Sequence, residues 1–569
     1  MSHLPLIVGF GGIGPAGRGS GHHAYRRLVF DALSPDDKAL TSRSLDALRG
    51  PETGANGIDG CLVRRLEPPH FDTERIETLD ADGEGSWRSR FIDFPAKAAG
   101  QLPTGVDVGT FYASRNHPRG LQLAIYAASD ALSSMGIPWQ TVIDHVAPDQ
   151  ICLYAGAAIA QMDEYGFGGL QQARYRGKRS SPKQLPLGLA EMPADFVNAY
   201  VLGNFGTTGH NMGACSTFLY NLQLATHAIR SGRARVAIAG AAESPLDIDV
   251  LGGLFAMGAL AKDDQLRAIQ GVEDDTEPDH RSACRPFGEN CGMVPGESSQ
   301  YVVLFDPELA LELGANVLGA IGGAFVHADG PKKSITSPGV GNYISVAKCV
   351  AEAEAIVGPE RLRGGSYIHA HGTGTPQNRV TESHILSAVS KAFELGPWPV
   401  TAVKAQLGHS MAAAAGDQLG AALGFWHGGI VPGIVTTPEL ADDVYTDGLD
   451  FVLEHRELDP GSIAVTFLNA KGFGGNNATA SVLAPHWCEQ FLESQFGGDA
   501  VTEWRRRRDA TRAEVEAADA SHLDGSFRPT YRFGEGVLDG EQHVEVTRDG
   551  IQLDGQANAV DLRIESPYE

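Results

Sequence analysis

The sequence predicts an α/β fold built from two similar halves. Short apolar runs rich in β-branched residues alternate with helical patterns, which indicates buried strands covered by helices. This rhythm runs once to about residue 306 and begins again at about residue 317. The 70 glycines among 569 residues are an excess, and they gather around a few reactive side chains. Such a distribution is expected where tight turns bring the backbone close to a site.

Each half is predicted to contain several buried strands and one long helix beside a reactive residue. The helix over 216–230 has one apolar face and ends at Ser231-Gly232, and a second small-residue helix follows His409. The strands are predicted over 4–9, 150–155, 235–239, 299–305, 317–326, 366–370 and 464–468, with a further one over 400–404.

The chain divides into three predicted parts, the first of which carries an insertion. Residues 1–310 form the N-terminal half, interrupted by an insertion at about 35–100 that is richer in charge, Gly and Pro. Residues 311–485 form the C-terminal half. Beyond Pro485 a charged helical stretch and short alternating segments predict a C-terminal extension over 486–569.

Composition excludes several classes of function. A net charge of −25 argues against nonspecific nucleic-acid binding, which needs a basic face. Seven scattered cysteines without a CxxC pair indicate neither a disulfide framework nor a zinc site. The apolar run at 4–10 is too short for a signal peptide, and no run reaches the roughly 18 apolar residues of a membrane span. We therefore expect a cytoplasmic protein without a metal or redox cofactor.

Cys215 is the first candidate for chemistry. It lies in Gly-Ala-Cys215-Ser-Thr, where a turn opens the helix over 216–230. A thiol at a helix N-terminus feels the positive end of the dipole, which favours the thiolate. The other reading of any single cysteine is a small buried apolar residue.

Two histidines are the next candidates. His371 follows the strand over 366–370 and opens the turn Gly-Thr-Gly-Thr-Pro, whose Thr373 and Thr375 offer hydroxyls to a polar chain. His409 follows the strand over 400–404 in Lys404-Ala-Gln-Leu-Gly-His409. A lone histidine is more often structural, but a strand-end histidine before a glycine turn is a better candidate.

Taken together, a thiol and two imidazoles can form a carbon–carbon bond on a thioester. The thiol accepts an acyl group, and two neutral imidazoles donate hydrogen bonds to the carbonyl of an incoming malonyl thioester. Those bonds stabilise the enolate that loss of carbon dioxide releases, and the enolate attacks the acyl-cysteine.

These segments, in this order, resemble the β-ketoacyl-[acyl carrier protein] synthases, which are condensing enzymes of the thiolase fold. Two further segments match the family, Cys284-Arg-Pro-Phe287 between the halves and Asn469-Ala-Lys-Gly-Phe473-Gly-Gly-Asn-Asn near the end of the second half. The resemblance spans roughly residues 1–485 and is nearest to the FabY-type subgroup. It implies a thiolase-like fold with duplicated, α/β/α/β/α layered halves.

The resemblance also implies a role for each site residue. Cys215 would be the acylated nucleophile, and its N–H with that of Phe473 would form the oxyanion hole. His371 and His409 would bind the malonyl carbonyl. Lys404 would organise the site electrostatically, paired with Glu382.

Around this centre, Thr373 and Thr375 would contact the pantetheine arm, and Phe473 would gate acyl entry. Two positions depart from the family pattern, Arg379 and Cys291, where acidic residues are usual. Beyond the site, the bulky Met162 and Tyr165 are candidates for shaping a short acyl pocket.

The same resemblance implies substrates and partners. The FabY-type subgroup is associated with starting fatty-acid synthesis from acetyl-CoA and malonyl-carrier protein, so we expect acyl carrier protein, an acyl-CoA or acyl-carrier primer, and a homodimer. An elongating or polyketide and specialised-lipid synthase would use the same mechanism. A non-catalytic condensing-fold partner is disfavoured by the retained Cys215, and a cysteine hydrolase by the lack of a clear Cys–His–acid set.

Two further sequence features were considered for binding. A basic patch contains Arg174, Arg176, Lys178 and Arg179 in an otherwise acidic chain, and it predicts either a solvated loop or docking of acidic carrier protein. The run Gly9-x-Gly-Gly-x-Gly14 lacks the spacing of a dinucleotide fingerprint.

Overall fold

The computed structural model describes residues 3–49, 62–66, 94–175, 177–335, 337–564 and 566. Its strands in chain order are β1 Leu6–Gly14, β2 Gly17–Arg18, β3 Val63–Arg65, β4 Ala98–Gly100, β5 Ile151–Gly156, β6 Thr208–Gly209, β7 Val236–Glu243, β8 Ser298–Phe305, β9 Gly319–Ala328, β10 Ser366–His369, β11 Trp398–Thr401, β12 Ile430–Val431, β13 Leu449–Phe451, β14 Arg456–Glu457, β15 Val465–Gly472, β16 Asn476–Leu483, β17 Val544–Val546, β18 Gly550–Leu553 and β19 Val560–Asp561.

The helices of the described residues are α1 His23–Leu28, α2 Pro35–Arg49, α3 Arg119–Ser133, α4 Trp139–His145, α5 Phe167–Tyr175, α6 Gln184–Leu187, α7 Met192–Val197, α8 Thr217–Arg230, α9 Ile248–Ala256, α10 Asp263–Gln270, α11 Pro307–Glu312, α12 Gly341–Val357, α13 Pro359–Gly364, α14 Pro376–Ala392, α15 Lys404–Leu407, α16 Ala414–Gly428, α17 Pro485–Phe496, α18 Gly498–Leu523 and α19 Gly540–His543.

Strand pairing repeats between the two halves. In the first half the order is β1-β8-β7-β5-β6, with two antiparallel pairings followed by two parallel ones. In the second half the order is β9-β16-β15-β10-β11, with the same sequence of antiparallel and parallel pairings, and β13 adds a further parallel strand. The halves meet where β1 pairs with β9 through Leu6–Ala320 and Ile7–Gly319. The two-half architecture predicted from the strand rhythm is confirmed.

Two helices form the layer that the halves share. α8 and α16 each pack against strands of both halves, and their apolar faces contribute Phe218, Leu222, Leu419 and Ala422 to one continuous core. On the opposite side of the strands, α3, α7, α12 and α14 contribute to a second large core. Because α8 and α16 begin beside Cys215 and His409, the shared layer positions the site between the halves.

The seven predicted strands that precede or follow these helices all coincide with observed strands, namely β1, β5, β7, β8, β9, β10 and β15. The strand predicted over 400–404 is wrong at its end. β11 stops at Thr401, and Val403 already has helical backbone angles, so Lys404 begins the short helix α15. The glycines of 9–14 lie within β1, where a Cβ on Gly11 would come 2.2 Å from the main-chain nitrogen of Ala131 in α3.

The insertion is described in part. Within 35–100 the structure shows α2 and the antiparallel pair of β3 and β4, while residues 50–61 and 67–93 lie outside the described residues. The C-terminal extension packs on both halves. The fully buried indole of Trp504 in α18 donates from Nε1 to the Ala315 carbonyl at 3.0 Å, and Asp519 hydrogen-bonds Arg18 and His23.

Replacing Trp504 should therefore destabilise the whole protein and not only its C-terminal region. Trp504→Ala removes a large side chain from the core and leaves the Ala315 carbonyl without its donor, and we expect a loss of about 3 to 5 kcal/mol in the free energy of unfolding. Denaturant titration followed by circular dichroism measures it. Arg506→Ala, a change of an exposed residue on the same helix, should leave the denaturant midpoint of unfolding equal to that of the unchanged protein. Equal midpoints for the two variants would contradict the packing role of α18.

Candidate active site

Cys215 lies in a single 3-10 turn, Ala214–Ser216, directly before α8. Ala214 holds a left-handed backbone angle, φ 50°, which non-glycine residues rarely adopt. This sharp entry to the helix presents the thiol to the interior, and the side chain is only 4% exposed.

The turn between β15 and β16 approaches Cys215 closely. A Cβ on Gly472 would lie 2.1 Å from the Gly213 carbonyl oxygen, so only glycine fits there. The next residue, Phe473, and Cys215 itself both direct main-chain N–H groups at the sulfur. The structure thus brings together the two N–H groups that the sequence predicts as an oxyanion hole.

The two histidines face each other beyond the thiol. The ring centroids of His371 and His409 are 5.3 Å apart, with the planes at 87°. His371 Nδ1 accepts a hydrogen bond from the main-chain N–H of Lys471 at 3.2 Å, which leaves the ring proton on Nε2. The pKa values of both imidazoles are held well below their usual range, first by burial and then by the charge of Lys404.

Lys404 lies behind the cavity, 2% exposed, and its ammonium has no hydrogen-bond partner among the described residues. The predicted pairing with Glu382 is wrong as a contact. Burial lowers the pKa of Lys404, and the Glu382 carboxylate opposes that shift only through its charge. The reason is that Lys404 begins α15, whereas Glu382 is already occupied by other donors.

Glu382 instead holds the backbone of the first histidine turn. Its carboxylate accepts the main-chain N–H groups of His371, at 2.6 Å, and Gly372, at 2.9 Å. It also accepts the side-chain amides of Asn378 and Asn469, each at 2.8 Å. Four donors on one fully buried carboxylate fix the direction in which the His371 ring enters the site.

Burial of the Cys215 thiol opposes the thiolate that we expect the helix terminus to favour. Burial is the largest effect and raises the pKa of the Cys215 thiol to about 12, with the Lys404 charge and the two N–H groups acting in the other direction. Loss of solvation therefore outweighs the charge and the hydrogen bonds that favour the thiolate.

One cavity of about 430 Å³ connects the predicted site residues. It is lined by Cys215, both imidazoles, Phe473, Thr373 and Thr375, whereas Lys404 is not in its wall. The hydroxyls of the two threonines are 3.1 Å apart, and the Phe473 side chain is 40% exposed at the opening.

The structure adds residues that the motifs did not single out for a role. Met411 has a left-handed φ of 45° and places Sδ 3.8 Å from Cys215 Sγ. Burial raises the pKa of Glu243 to about 7, while that carboxylate accepts the N–H groups of Ala158 and Ala412 on either side of the thiol. Glu243 is the last residue of β7, and spacing could not reveal its role because both partners come from segments distant in the sequence.

The predicted basic patch is described only in part. Lys178 and Arg179 are exposed, Arg176 lies outside the described residues, and of Arg174 only the backbone at the end of α5 is described.

In the described part of the chain no three His, Cys, Asp or Glu side chains gather as a metal site would need. Among those same residues, no helix has the length and apolar character to cross a membrane.

A buried cysteine with two main-chain N–H groups at its sulfur, beside two imidazoles of lowered pKa on a duplicated α/β frame, is the arrangement expected of a condensing enzyme of the thiolase type. Family models agree: the N-terminal domain of β-ketoacyl synthase matches residues 63–308, and its C-terminal domain matches 318–437. The chain belongs to the β-ketoacyl synthase family.

Individual relatives agree with this assignment. The β-ketoacyl-[acyl-carrier-protein] synthase FabY of Pseudomonas aeruginosa is 43% identical, over 98% of this chain and 97% of that protein. The 3-oxoacyl-[acyl-carrier-protein] synthase 2 of Staphylococcus aureus is 29% identical over 64% of this chain and 84% of its own. The crystal structure of FabY from P. aeruginosa superposes with a TM-score of 0.93 at 41% identity, covering 100% of this chain and 98% of that one.

A more distant structure shares the fold alone. The ishigamide ketosynthase/chain length factor superposes with a TM-score of 0.61 at 20% identity, covering 85% of this chain and all of the other. The thiolase-like architecture predicted through the family resemblance is confirmed by these matches.

The raised thiol pKa gives a testable pH dependence. Far below its pKa the thiolate fraction rises about tenfold with each pH unit, so alkylation of Cys215 by iodoacetamide should rise about tenfold per unit from pH 7 to 9. Intact-mass analysis, with Cys215→Ser to subtract other thiols, measures the rate. Lys404→Met should slow alkylation at each pH, since the Lys404 charge lowers the thiol pKa. A rate that is already constant at pH 7 would show that the thiolate predominates.

Proposed function

We propose that this protein is a β-ketoacyl-[acyl-carrier-protein] synthase that joins a short thioester primer to malonyl-carrier protein at the start of fatty-acid synthesis. The observation that carries the proposal is the cavity in which Cys215 faces two neutral imidazoles while two N–H groups point at its sulfur. Such a set accepts an acyl group and stabilises an enolate without a base for the thiol.

The first step transfers the primer to the enzyme. Cys215 Sγ attacks the thioester carbonyl, the new carbon–sulfur bond forms, and the carrier thiol leaves with the proton that Cys215 gives up. The negative oxygen formed in between is held by the N–H groups of Cys215 and Phe473. Because burial disfavours the free thiolate, its formation is coupled to the arrival of the substrate.

The second step breaks one bond and forms another. His371, from Nε2, and His409 donate to the malonyl thioester oxygen, so the electrons of the bond to the carboxylate move into an enolate as carbon dioxide leaves. The enolate carbon attacks the acyl carbonyl on Cys215. Collapse of the resulting oxyanion expels the cysteine sulfur and leaves a β-ketoacyl thioester. Thr373 and Thr375 line the path for the pantetheine arm, and Phe473 stands at its opening.

The surroundings of the thiol favour a short primer. Cys215 packs within an apolar cluster that includes Leu254, Met293 and Met411, and the Met411 sulfur lies 3.8 Å from the nucleophile. An acetyl group needs little displacement of these side chains, whereas a long acyl chain must move them. This packing supports initiation over elongation.

The proposal extends to cofactors, location and assembly. The two-step chemistry needs only substrates that carry phosphopantetheine, in a cytoplasmic setting. A homodimer is supported by the edge strand β6, which is flanked by the apolar Phe205 and Met212, 45% and 49% exposed. A second copy that pairs at this edge would cover both side chains.

Carrier-protein docking on the basic patch is tested by charge reversal. Carrier proteins are acidic, so Lys178→Glu with Arg179→Glu should raise KM for carrier-bound malonyl substrate several-fold and leave CoA-bound substrate unaffected. Steady-state kinetics with both substrates measures the difference, and Lys391→Glu, a paired lysine on α14, is the control. Equal effects on both substrates would remove the patch from the proposal.

The function itself is tested with primer and malonyl-carrier protein. With acetyl-CoA alone, intact-mass analysis should show a stable acetyl adduct on Cys215, and adding malonyl-carrier protein should convert it to acetoacetyl-carrier protein. Cys215→Gln should release carbon dioxide without making that product.

A primer series from acetyl to longer acyl groups then separates initiation from elongation. We expect acetyl to react fastest and Met411→Ala to accept longer chains. Preference of the unchanged enzyme for long acyl-carrier primers would identify an elongating enzyme instead. Rapid release of acetate would mark a hydrolase, and no adduct at all a non-catalytic partner.

A further inference from the structure

Lys471 is a second lysine of the site, half-buried, and neither the motifs nor the proposed steps give it a role. It is the last residue but one of β15, two residues before Phe473, and it lines the cavity together with His371. Partial burial lowers the pKa of Lys471, so the contacts that hold its ammonium carry information about function.

The main chain of Lys471 fixes one side of the His371 ring. Its N–H donates to Nδ1 at 3.2 Å, which places the ring proton on Nε2. If Nδ1 gained a proton, two donors would face each other and the ring could no longer keep this orientation.

The Lys471 side chain reaches the other side of the same histidine through a relay. Its ammonium donates to Asn378 Oδ1 and Thr381 Oγ1, each at 3.1 Å. Asn378 is thereby oriented so that its amide donates to Glu382 Oε2 at 2.8 Å. Glu382 Oε1 in turn accepts the main-chain N–H of His371 at 2.6 Å. Lys471 is thus connected to both the ring and the backbone of one residue.

We propose that Lys471 is a positioning residue that holds the His371 imidazole as the neutral Nε2–H donor for decarboxylation. The inference rests on the proposed role of His371 in that step. Lys471 acts through His371 and Glu382 and touches no reacting atom in this scheme. Acyl transfer to Cys215, which does not use the imidazole donor, is independent of it.

The charges around both residues fit this role. His371 faces Lys404, His409 and Lys471, and the two lysine charges oppose a proton on its ring. Lys471 itself faces the Glu382 and Asp329 carboxylates, which favour its charged form, and Lys332, which opposes it. Burial works against the charge, so the Asn378 and Thr381 contacts matter for keeping the ammonium in place.

The test uses Cys215→Gln as the parent, because that variant reports decarboxylation alone. Carbon dioxide release from malonyl-carrier protein is measured between pH 5 and 9. Adding Lys471→Met should lower the rate about tenfold or more at pH 7. It should also move the acidic limb of the profile toward higher pH, because without the Lys471 charge His371 takes up a proton more readily. Lys471→Arg, which keeps the charge, should retain the parent's acidic limb.

The same substitutions in the protein with Cys215 intact test selectivity. Acetylation of Cys215 by acetyl-CoA should stay within about twofold of the unchanged protein, and Lys391→Met is the matched lysine control. Parent-like rate and profile for Lys471→Met would overturn the inference, as would equal losses of acetylation and decarboxylation. If Lys471→Met does not fold, Asn378→Ala, which breaks the relay, decides in the same assays. A Cys215→Gln parent that releases no carbon dioxide would defeat the proposed function itself, and this inference with it.

Discussion

The main chain at Gly472 lies so close to the Gly213 carbonyl that any side chain there would collide with it. This contact joins the hairpin of β15 and β16 in the second half to the turn that carries Cys215 in the first half. One residue to either side of Gly472, a main-chain N–H is aimed at a reactive atom: Phe473 at the Cys215 sulfur and Lys471 at His371 Nδ1. The pairing of β15 with β10 and β16, and the shared layer of α8 and α16, are what hold these two backbones at that distance.

Burial then sets the electrostatics of everything at this junction. It disfavours charge on the imidazoles and on the Cys215 thiol, so the site at rest holds neutral groups that donate and accept hydrogen bonds. A neutral imidazole polarises a carbonyl without giving up its proton, which suits stabilising an enolate better than acting as a base. Lys404 and Glu382 are buried but do not line the cavity, so they act on the reacting groups from behind its wall.

The sequence predicted the strands well because fully buried strands are continuous apolar runs, as at β8 and β15. It also indicated which residues would meet, since Cys215, His371 and His409 each follow a strand or open a helix beside glycines. It could not predict that Lys404 makes no hydrogen bond to Glu382, because β11 stops at Thr401 and Lys404 begins a short helix. Nor could spacing reveal the thiol pKa, which reflects desolvation by distant side chains such as Met411 and Leu254.

Arg379 shows why a departure from the family pattern need not disturb the centre. It stands on α14 three residues before Glu382, yet its guanidinium turns away and binds both oxygens of Asp443, at 2.7 and 3.0 Å. A third contact, to the Gly288 carbonyl at 3.2 Å, leaves it bound to groups outside the cavity. Its charge is therefore balanced locally, and the four donors on Glu382 include none from Arg379. Lys471 is instead linked to that carboxylate by hydrogen bonds through Asn378, so the network around His371 reaches a cation on the hairpin between β15 and β16 and not one on α14.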